Sequence, residues 1–163
     1  MDLNVTLTIP RLAALDASIA RRILTQEVGQ GVTRIVEAVA TQARADAPVD
    51  RGILRGSIFT RVTPGVGPVL VEGLVATGRQ APYAEDVERG TPPHWITDID
   101  ALKGWARRKL GNENRAYAVR HSIAKRGTLP QPYLMPAAEA IEPQVPGIMN
   151  AAVAVAVRRL GQP

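Results

Sequence analysis

The segment at positions 47–58 limits the possible folds of this 163-residue chain more than any other. Before it, apolar residues recur at helical spacing over residues 11–45, which predicts a long helix. Pro48 ends that helix, because the residue before a proline avoids helical backbone angles. Gly52 then allows a turn, and Ser57 begins a run of residues typical of a strand. The long helix must therefore pass through a short turn into a sheet.

The rest of the chain alternates between strand and helix patterns. Strands are predicted over residues 3–9, 57–63 and 68–77, the last two as a β-hairpin with a loop at 64–67. Shorter helices are predicted over residues 83–88, 97–110, 113–126 and 148–160, with another that begins at Pro136. A small antiparallel sheet packed against the long N-terminal helix, with further helices on one face, would bury these apolar positions. We therefore predict an α+β fold.

The length of the chain predicts one domain over residues 1–163. Within it, residues 97–127 are predicted to form a basic two-helix elaboration, and residues 144–163 a C-terminal helix. Pro143 and Pro146 are expected to interrupt the last helical stretch, since proline removes a backbone hydrogen bond from a helix interior.

Two local signals make finer predictions. Gly29 and Gly31 lie inside the long helical pattern, where they predict a kink or a junction of two helices. Thr97 with Asp100 resembles a capping box, which would begin the helix that runs to Leu110.

The composition excludes several classes of protein. The chain has no cysteine, which excludes a disulfide scaffold, a thiol nucleophile and a cysteine-ligated zinc site. No apolar run is expected to reach the length of a membrane span, and the first residues lack the features of a signal peptide. We therefore expect a soluble protein that is made inside the cell and has no membrane partner.

Positive charge is concentrated in the last third of the chain. The net charge is +5, but residues 101–163 hold ten basic and three acidic side chains. The candidate contacts to DNA or to an acidic protein surface are Arg107, Arg108, Lys109, Arg115, Arg120, Lys125 and Arg126. The two helices that carry them have helix-turn-helix proportions. A small non-enzymatic DNA-binding protein that uses the helix pair at 97–126 is therefore an alternative function, with phosphate contact favoured over base readout.

No arrangement of side chains indicates catalysis. The two histidines, His94 and His121, are far apart in sequence and neither forms a metal-binding pair. The acidic residues Glu85, Asp86 and Glu88 lack the frame of a calcium loop, so they are expected to cap a helix or to pair with arginines of a neighbour. Dinucleotide, phosphate-loop and nucleophile-elbow motifs are missing. We predict no enzyme, no metal and no cofactor.

Three segments together resemble the HK97 gp10-like family, the neck or tail-completion proteins of tailed bacteriophages. The first segment is matched by Ala47, Pro48, Gly52, Leu54, Ser57 and Ile58. The second is matched by Tyr83, Val87, Glu88, Gly90 and Thr91, and the third by Pro132, Tyr133, Leu134, Pro136 and Ala137. Arg89 and Tyr133 depart from the family pattern, where an aromatic residue and phenylalanine are usual.

The resemblance implies a structural virion protein that joins the head connector to the tail. Such a subunit would form a homo-oligomeric ring around the DNA path, with a hexamer favoured, in the neck or tail region after assembly in the host cytoplasm. Its implied neighbours are the head connector or stopper and the tail terminator or tail tube proteins, with non-specific contact to genomic DNA. The low aromatic content and the Ala/Val-rich C-terminal helix also favour burial between subunits.

Overall fold

A computed structural model describes residues 3–8, 17–65 and 69–161. Three strands form one antiparallel sheet: β1 (Leu3–Thr8), β2 (Ile58–Pro64) and β3 (Val69–Thr77). The helices within the described ranges are α1 (Ala17–Asp46), α2 (Ile53–Ser57), α3 (Ala84–Arg89), α4 (Ile99–Leu110), α5 (Arg115–Arg126), α6 (Leu134–Ile141) and α7 (Val145–Leu160). A 3-10 turn at Glu142–Gln144 joins the last two.

The central strand of the sheet is β3, which pairs antiparallel with β1 on one side and β2 on the other. Leu3 lies opposite Val75, and Ile58 lies opposite Thr77. The predicted N-terminal strand and the predicted hairpin are therefore confirmed. The hairpin loop was predicted at residues 64–67, of which 66 and 67 lie outside the described residues.

The core forms where α1 contacts the sheet and the C-terminal helices. From α1 it takes Val28, Val32, Ile35, Val36, Val39, Ala40 and Ala43, and from β3 it takes Val71 and Val75. Helix α1 crosses β3 at Gly73, where an added Cβ would lie 2.6 Å from Cγ1 of Val32. Leu54, Tyr133 and Met149 complete the same core from α2, the start of α6 and α7. The predicted α+β fold is confirmed.

The predicted junction of two helices at Gly29 and Gly31 is wrong, because α1 runs through both as one helix. Gly31 lies where α7 passes closest. A Cβ on Gly31 would be 3.1 Å from Cβ of Ala152 and 3.2 Å from Sδ of Met149. This glycine therefore allows two helices to pack closely.

Residues 53–57 were predicted as a turn and strand entry, and instead they form the short helix α2. The hydroxyl of Ser57 donates a hydrogen bond of 2.7 Å to the carbonyl of Leu54. The amide of Gly78 donates to the carbonyl of Ser57 at 2.9 Å. The strand begins one residue after these bonds, at Ile58. Ser57 is thus a buried helix end, and its backbone starts the sheet.

The predicted cap of α4 is placed one residue too early. Asp98, and not Thr97, caps the helix: its Oδ1 accepts from the amides of Asp100 at 3.1 Å and Ala101 at 3.0 Å. Aspartate is among the best N-cap residues because it accepts from helix amides that lack partners. The end of α4 at Leu110 agrees with the prediction.

Pro143 lies in the 3-10 turn that interrupts the C-terminal helical stretch, as expected, whereas Pro146 lies in the first turn of α7. Proline is tolerated in the first turn of a helix, where its missing N–H has no partner to lose. With the 3-10 turn included, Leu134–Leu160 form a helical run of 27 residues, which by length and composition alone would be able to cross a membrane. The expectation that no apolar run reaches such a length is therefore wrong. This run also packs into the fold, since Met149 and Ala156 are buried.

Candidate functional site

The buried carboxylate of Glu88 joins α3 to the start of α6. It accepts three backbone hydrogen bonds, from the amides of Tyr133 at 2.9 Å, Leu134 at 3.0 Å and Met135 at 2.9 Å. The first amides of a helix have no partner within the helix, and a negative charge is favourable there. Glu88 is only 6% exposed. A side chain from 45 residues upstream therefore caps α6.

Tyr133 fills the space beside this cap. It is 2% exposed and belongs to the same core as Leu54 and Ala84. Burial, with a smaller contribution from the nearby Glu88 carboxylate, raises the pKa of Tyr133 to about 12. Its ring is therefore neutral at physiological pH. The three segments that carry the family resemblance thus meet in one core.

The acidic residues at 85–88 have different environments. Glu88 caps a helix, which is one of the two roles expected for it, and its burial excludes pairing with a neighbouring molecule. Glu85 forms an exposed ion pair with Arg89 at 3.6 Å. Asp86 is exposed and lines the cleft described below.

Residues 92–127, called the helix pair here because they contain α4 and α5, leave and re-enter the fold at one narrow point. There the amide of Thr91 donates to the carbonyl of Thr128 at 3.2 Å, and the amide of Thr128 donates back to Thr91 at 3.0 Å. The two threonine hydroxyls lie 3.0 Å apart. We call this crossing the neck of the helix pair, which is unrelated to the neck of a phage particle.

The neck brings two backbone segments so close that a side chain would not fit at Gly127. This residue has a φ of +74°, and a Cβ would lie 1.8 Å from the carbonyl oxygen of Thr91. Beyond the neck, α4 and α5 pack on each other. Ala106 and Ala116 are buried there, outside the main core. The helix pair is therefore an insertion with contacts of its own.

An ion pair docks α4 against the turn after α1. Asp50 accepts from Nε of Arg108 at 2.8 Å and from its terminal nitrogen at 2.5 Å, a two-point geometry that also fixes orientation. Lys109 donates to the carbonyl of Val49. The hydrogen bonds from Arg108 hold the pKa of the Asp50 carboxyl below its ordinary value of 3.8. Asp50 and Arg108 thus hold the helix pair against the body of the protein, by which we mean the chain outside residues 92–127.

A cleft of about 720 Å³ lies between the helix pair and the body. One wall is the turn from Pro48 to Leu54, and another is formed by Tyr83, Asp86 and Val87 from the α3 region. From the other side, Ile96, Trp105 and Ile123 face it. Leu129 follows the neck and lies at the edge of the cleft, where it is 86% exposed. The cleft is mainly apolar, with the Asp50–Arg108 pair at its border.

Acid is expected to release the helix pair. Because the pKa of Asp50 is lower in the folded protein, the ion pair contributes above the ordinary value of 3.8 and is lost as the pH falls through the lowered value. The measurement uses the variant Trp95→Phe, in which Trp105 is the sole tryptophan, so that the fluorescence reports on Trp105 alone. We expect its fluorescence to shift to longer wavelength in acid, and Asp50→Asn to show that shift already at pH 7.

The matched control is Glu113→Gln. Glu113 pairs with Arg107, and that hydrogen bond lowers the pKa of Glu113 in the same way. This second pair connects residues within the helix pair and does not reach the body. Glu113→Gln should therefore keep the acid transition of Trp105. An unchanged transition in Asp50→Asn would contradict the docking role of Asp50.

The structure divides the seven candidate basic residues into two groups. Arg107, Arg108 and Lys109, on α4, are occupied by Glu113, Asp50 and the carbonyl of Val49. The other four, Arg115, Arg120, Lys125 and Arg126, lie on α5. Among the described residues, no carboxylate pairs with these four. The α4 residues are thus structural, and the α5 residues are available.

The remaining motif residues lie around the cleft and the neck. Pro48, Gly52 and Tyr83 line the cleft, and Gly90 and Thr91 lead into the neck. Pro132 is exposed just before the capped start of α6. Pro136 is half-buried in the first turn of α6. These positions shape the turns.

His94 and His121 are exposed side chains on the helix pair. The Nδ1 atom of His94 lies 3.0 Å from the carbonyl oxygen of Pro92. Within the ranges that the structure describes, no three metal-binding side chains lie together. The absence of enzymatic activity stays a prediction.

Two contacts were missed from the sequence. Asp50 and Arg108 are 58 residues apart, and nothing in either segment indicates the other. The stacking of Arg120 on Trp95 was also missed, because Trp95 lies just before the basic region that was predicted at residues 97–127. A scan for arginine near exposed aromatic residues would have suggested the second contact.

The chain matches no protein-family model, no curated protein and no solved structure. Its resemblance to HK97 gp10-like proteins therefore stays a prediction from the motif residues.

Proposed function

We propose that this chain is a structural virion protein of a tailed bacteriophage. It acts as a neck or tail-completion subunit and forms an oligomeric ring that joins the head connector to the tail. Its immediate partners are copies of itself and the connector and tail proteins on either side.

The main support for this proposal is the joint made by the three motif segments. Leu54 from the first segment and Tyr133 from the third belong to one core, and Glu88 from the second is buried beside Tyr133 and caps α6. The motif residues thus have architectural roles, which suits a subunit whose function is to hold a shape. A cap at this position also fixes where the C-terminal helices leave the core.

The C-terminal helices offer a surface for assembly. Only 11% of an 18-residue apolar stretch of Leu134–Leu160 is buried within the chain. One side of α7 packs on α1 through Met149 and Ala156, while Ala151 and Ala154 are exposed. Burial of such a surface against another subunit would be favourable, since apolar area removed from water contributes about 25 cal/mol per Å².

The oligomeric state of the purified protein tests this proposal. Native mass spectrometry should give one defined ring. Ala154→Glu, which places a charge on the exposed side of α7, should convert the ring to monomers with unchanged circular dichroism. Ala45→Glu is the control, because Ala45 is an exposed alanine on another helix, α1. A wild-type protein that stays monomeric at every concentration, or that inserts into lipid vesicles instead, would contradict the proposal.

The same variants can be tested in particle assembly. Phage that lack this gene should accumulate filled heads and separate tails. Wild-type protein should restore joined particles, Ala154→Glu should not, and Ala45→Glu should. Normal joined particles in the absence of the gene would rule out a role in the junction between the phage head and tail.

A further inference from the structure

The whole net charge of the protein is located in the helix pair. Residues 92–127 hold eight basic and three acidic side chains, and the rest of the chain holds twelve of each. The body is therefore neutral by formal charge, while the helix pair carries +5. A charge so concentrated produces a directed electrostatic field, which attracts anionic partners to one surface.

Contacts within the fold narrow this surface to α5. All three acidic residues of the helix pair are engaged: Asp98 caps α4, Asp100 pairs with Lys103, and Glu113 pairs with Arg107. Asp50 of the body takes Arg108. The four basic residues of α5 keep no acidic partner among the described residues. Lys109 of α4 donates only to a backbone carbonyl, so α5 has four of the five basic charges that no carboxylate neutralises.

Aromatic rings hold the central arginine of this surface. The guanidinium carbon of Arg120 lies 4.4 Å from the ring centre of Trp95 and 5.8 Å from that of Tyr117. Nζ of Lys103 lies 5.8 Å from the ring centre of Tyr117. Both rings are about half exposed. Stacking on a ring uses the face of a guanidinium and leaves the N–H donors at its edge free for phosphate oxygens.

We propose that α5, with Trp95 and Tyr117, binds the phosphodiester backbone of double-stranded DNA without sequence preference. Arg115 and Arg126 are eleven positions apart, which is about 16 Å along a helix. That length corresponds to about five phosphates on one strand of the duplex. A pre-stacked Arg120 loses less side-chain freedom on binding than a free arginine, which favours the contact.

The binding of a labelled DNA duplex, followed by fluorescence anisotropy at increasing salt, tests this inference. With 3.6 residues per turn, Arg115, Lys125 and Arg126 share one side of α5 and Arg120 lies on another. Three to four neutralised phosphates therefore predict a slope of log K against log salt of about −2.7 to −3.6. Replacing the four α5 residues together (Arg115→Gln, Arg120→Gln, Lys125→Gln and Arg126→Gln) should remove most of that slope and weaken binding on the order of 100-fold at low salt.

The control variant removes the same charge from the body: Arg21→Gln, Arg22→Gln, Arg55→Gln and Arg79→Gln, all exposed. Both variants lower the net charge from +5 to +1. The control should bind DNA within about 3-fold of the wild type, since long-range charge alone is screened by salt. Equal losses in the two variants would overturn the inference. If the fourfold α5 variant fails to fold, Lys125→Gln and Arg126→Gln singly should each lower the slope by about one.

Other ligands separate this inference from its competitors. Three results with the wild-type protein would overturn it. The protein would bind polyglutamate but no DNA, it would prefer single-stranded DNA to the duplex, or it would bind one duplex sequence far better than another. The inference does not depend on ring formation. If the protein binds DNA but takes no part in joining particles, the DNA-binding inference stands and the proposed function is wrong. If the protein joins particles but does not bind DNA, the proposed function stands and the DNA-binding inference is wrong.

Discussion

Glu88→Ala is expected to lower the free energy of unfolding by about 4 kcal/mol, because three buried backbone amides lose a charged acceptor at once. The loss reaches beyond α6. The same carboxylate holds α3 against Tyr133, so both sides of the core loosen. Urea unfolding followed by circular dichroism measures the change. Glu88→Gln keeps one acceptor oxygen and should lose about half as much.

Glu85→Ala is the matched control for this experiment. Glu85 lies on the same short helix and also has a charged partner, but its side chain is 64% exposed and the pair with Arg89 is 3.6 Å long. Exposed pairs of this kind contribute about 0.5 kcal/mol or less. Equal losses in Glu85→Ala and Glu88→Ala would mean that the cap at α6 does not stabilise the fold.

Gly127→Ala is expected to open the neck, with a loss of about 3 kcal/mol. Two causes add at this position: the backbone has a φ of +74°, and the new Cβ would lie 1.8 Å from the carbonyl oxygen of Thr91. A backbone oxygen cannot move aside as a flexible side chain does. We expect faster amide hydrogen exchange throughout the helix pair, while amides of α1 and β3 keep their protection.

Gly111→Ala shows the cost at a left-handed glycine that has no close contact. Its ψ is 0°, whereas Gly127 has a ψ of −158°, in a region that essentially only glycine adopts. Gly111 also follows the end of a helix and has a φ of +70°, but no atom lies within 4 Å of the position of its Cβ. Its loss should be limited to the conformational cost, about 1 kcal/mol. Similar losses and similar exchange in Gly111→Ala and Gly127→Ala would contradict the role of the close approach at the neck.

The elements that could be predicted from the sequence are those with local causes. Alternation over residues 3–9 and the proline at 48 concern neighbours in the chain, so β1 and the end of α1 were placed within two residues. The predictions failed where contacts with residues far along the chain determine the local structure. Gly31 looks like a helix breaker until Met149 packs against it. Asp98 and Thr97 are both good caps, and the local backbone chooses between them.

The candidate site was harder to predict for the same reason. The acidic residues at 85–88 were identified, but the choice of Glu88 as the cap depends on the start of α6, 45 residues later. The seven basic residues were also identified. Only the folded chain separates Arg107, Arg108 and Lys109, which are engaged, from the residues of α5. Charge can be counted in a sequence, whereas its neutralisation depends on tertiary contacts.

The crossing of Thr91 and Thr128 has a consequence for how such a chain can vary. Because entry and exit lie side by side, the intervening residues behave as a module whose length and composition can change at small entropic cost to the remainder. Substitutions on that module would change the proposed DNA contact without touching the interior that surrounds Val75. If the proposed contact holds, recognition and folding are assigned to separate stretches of one polypeptide.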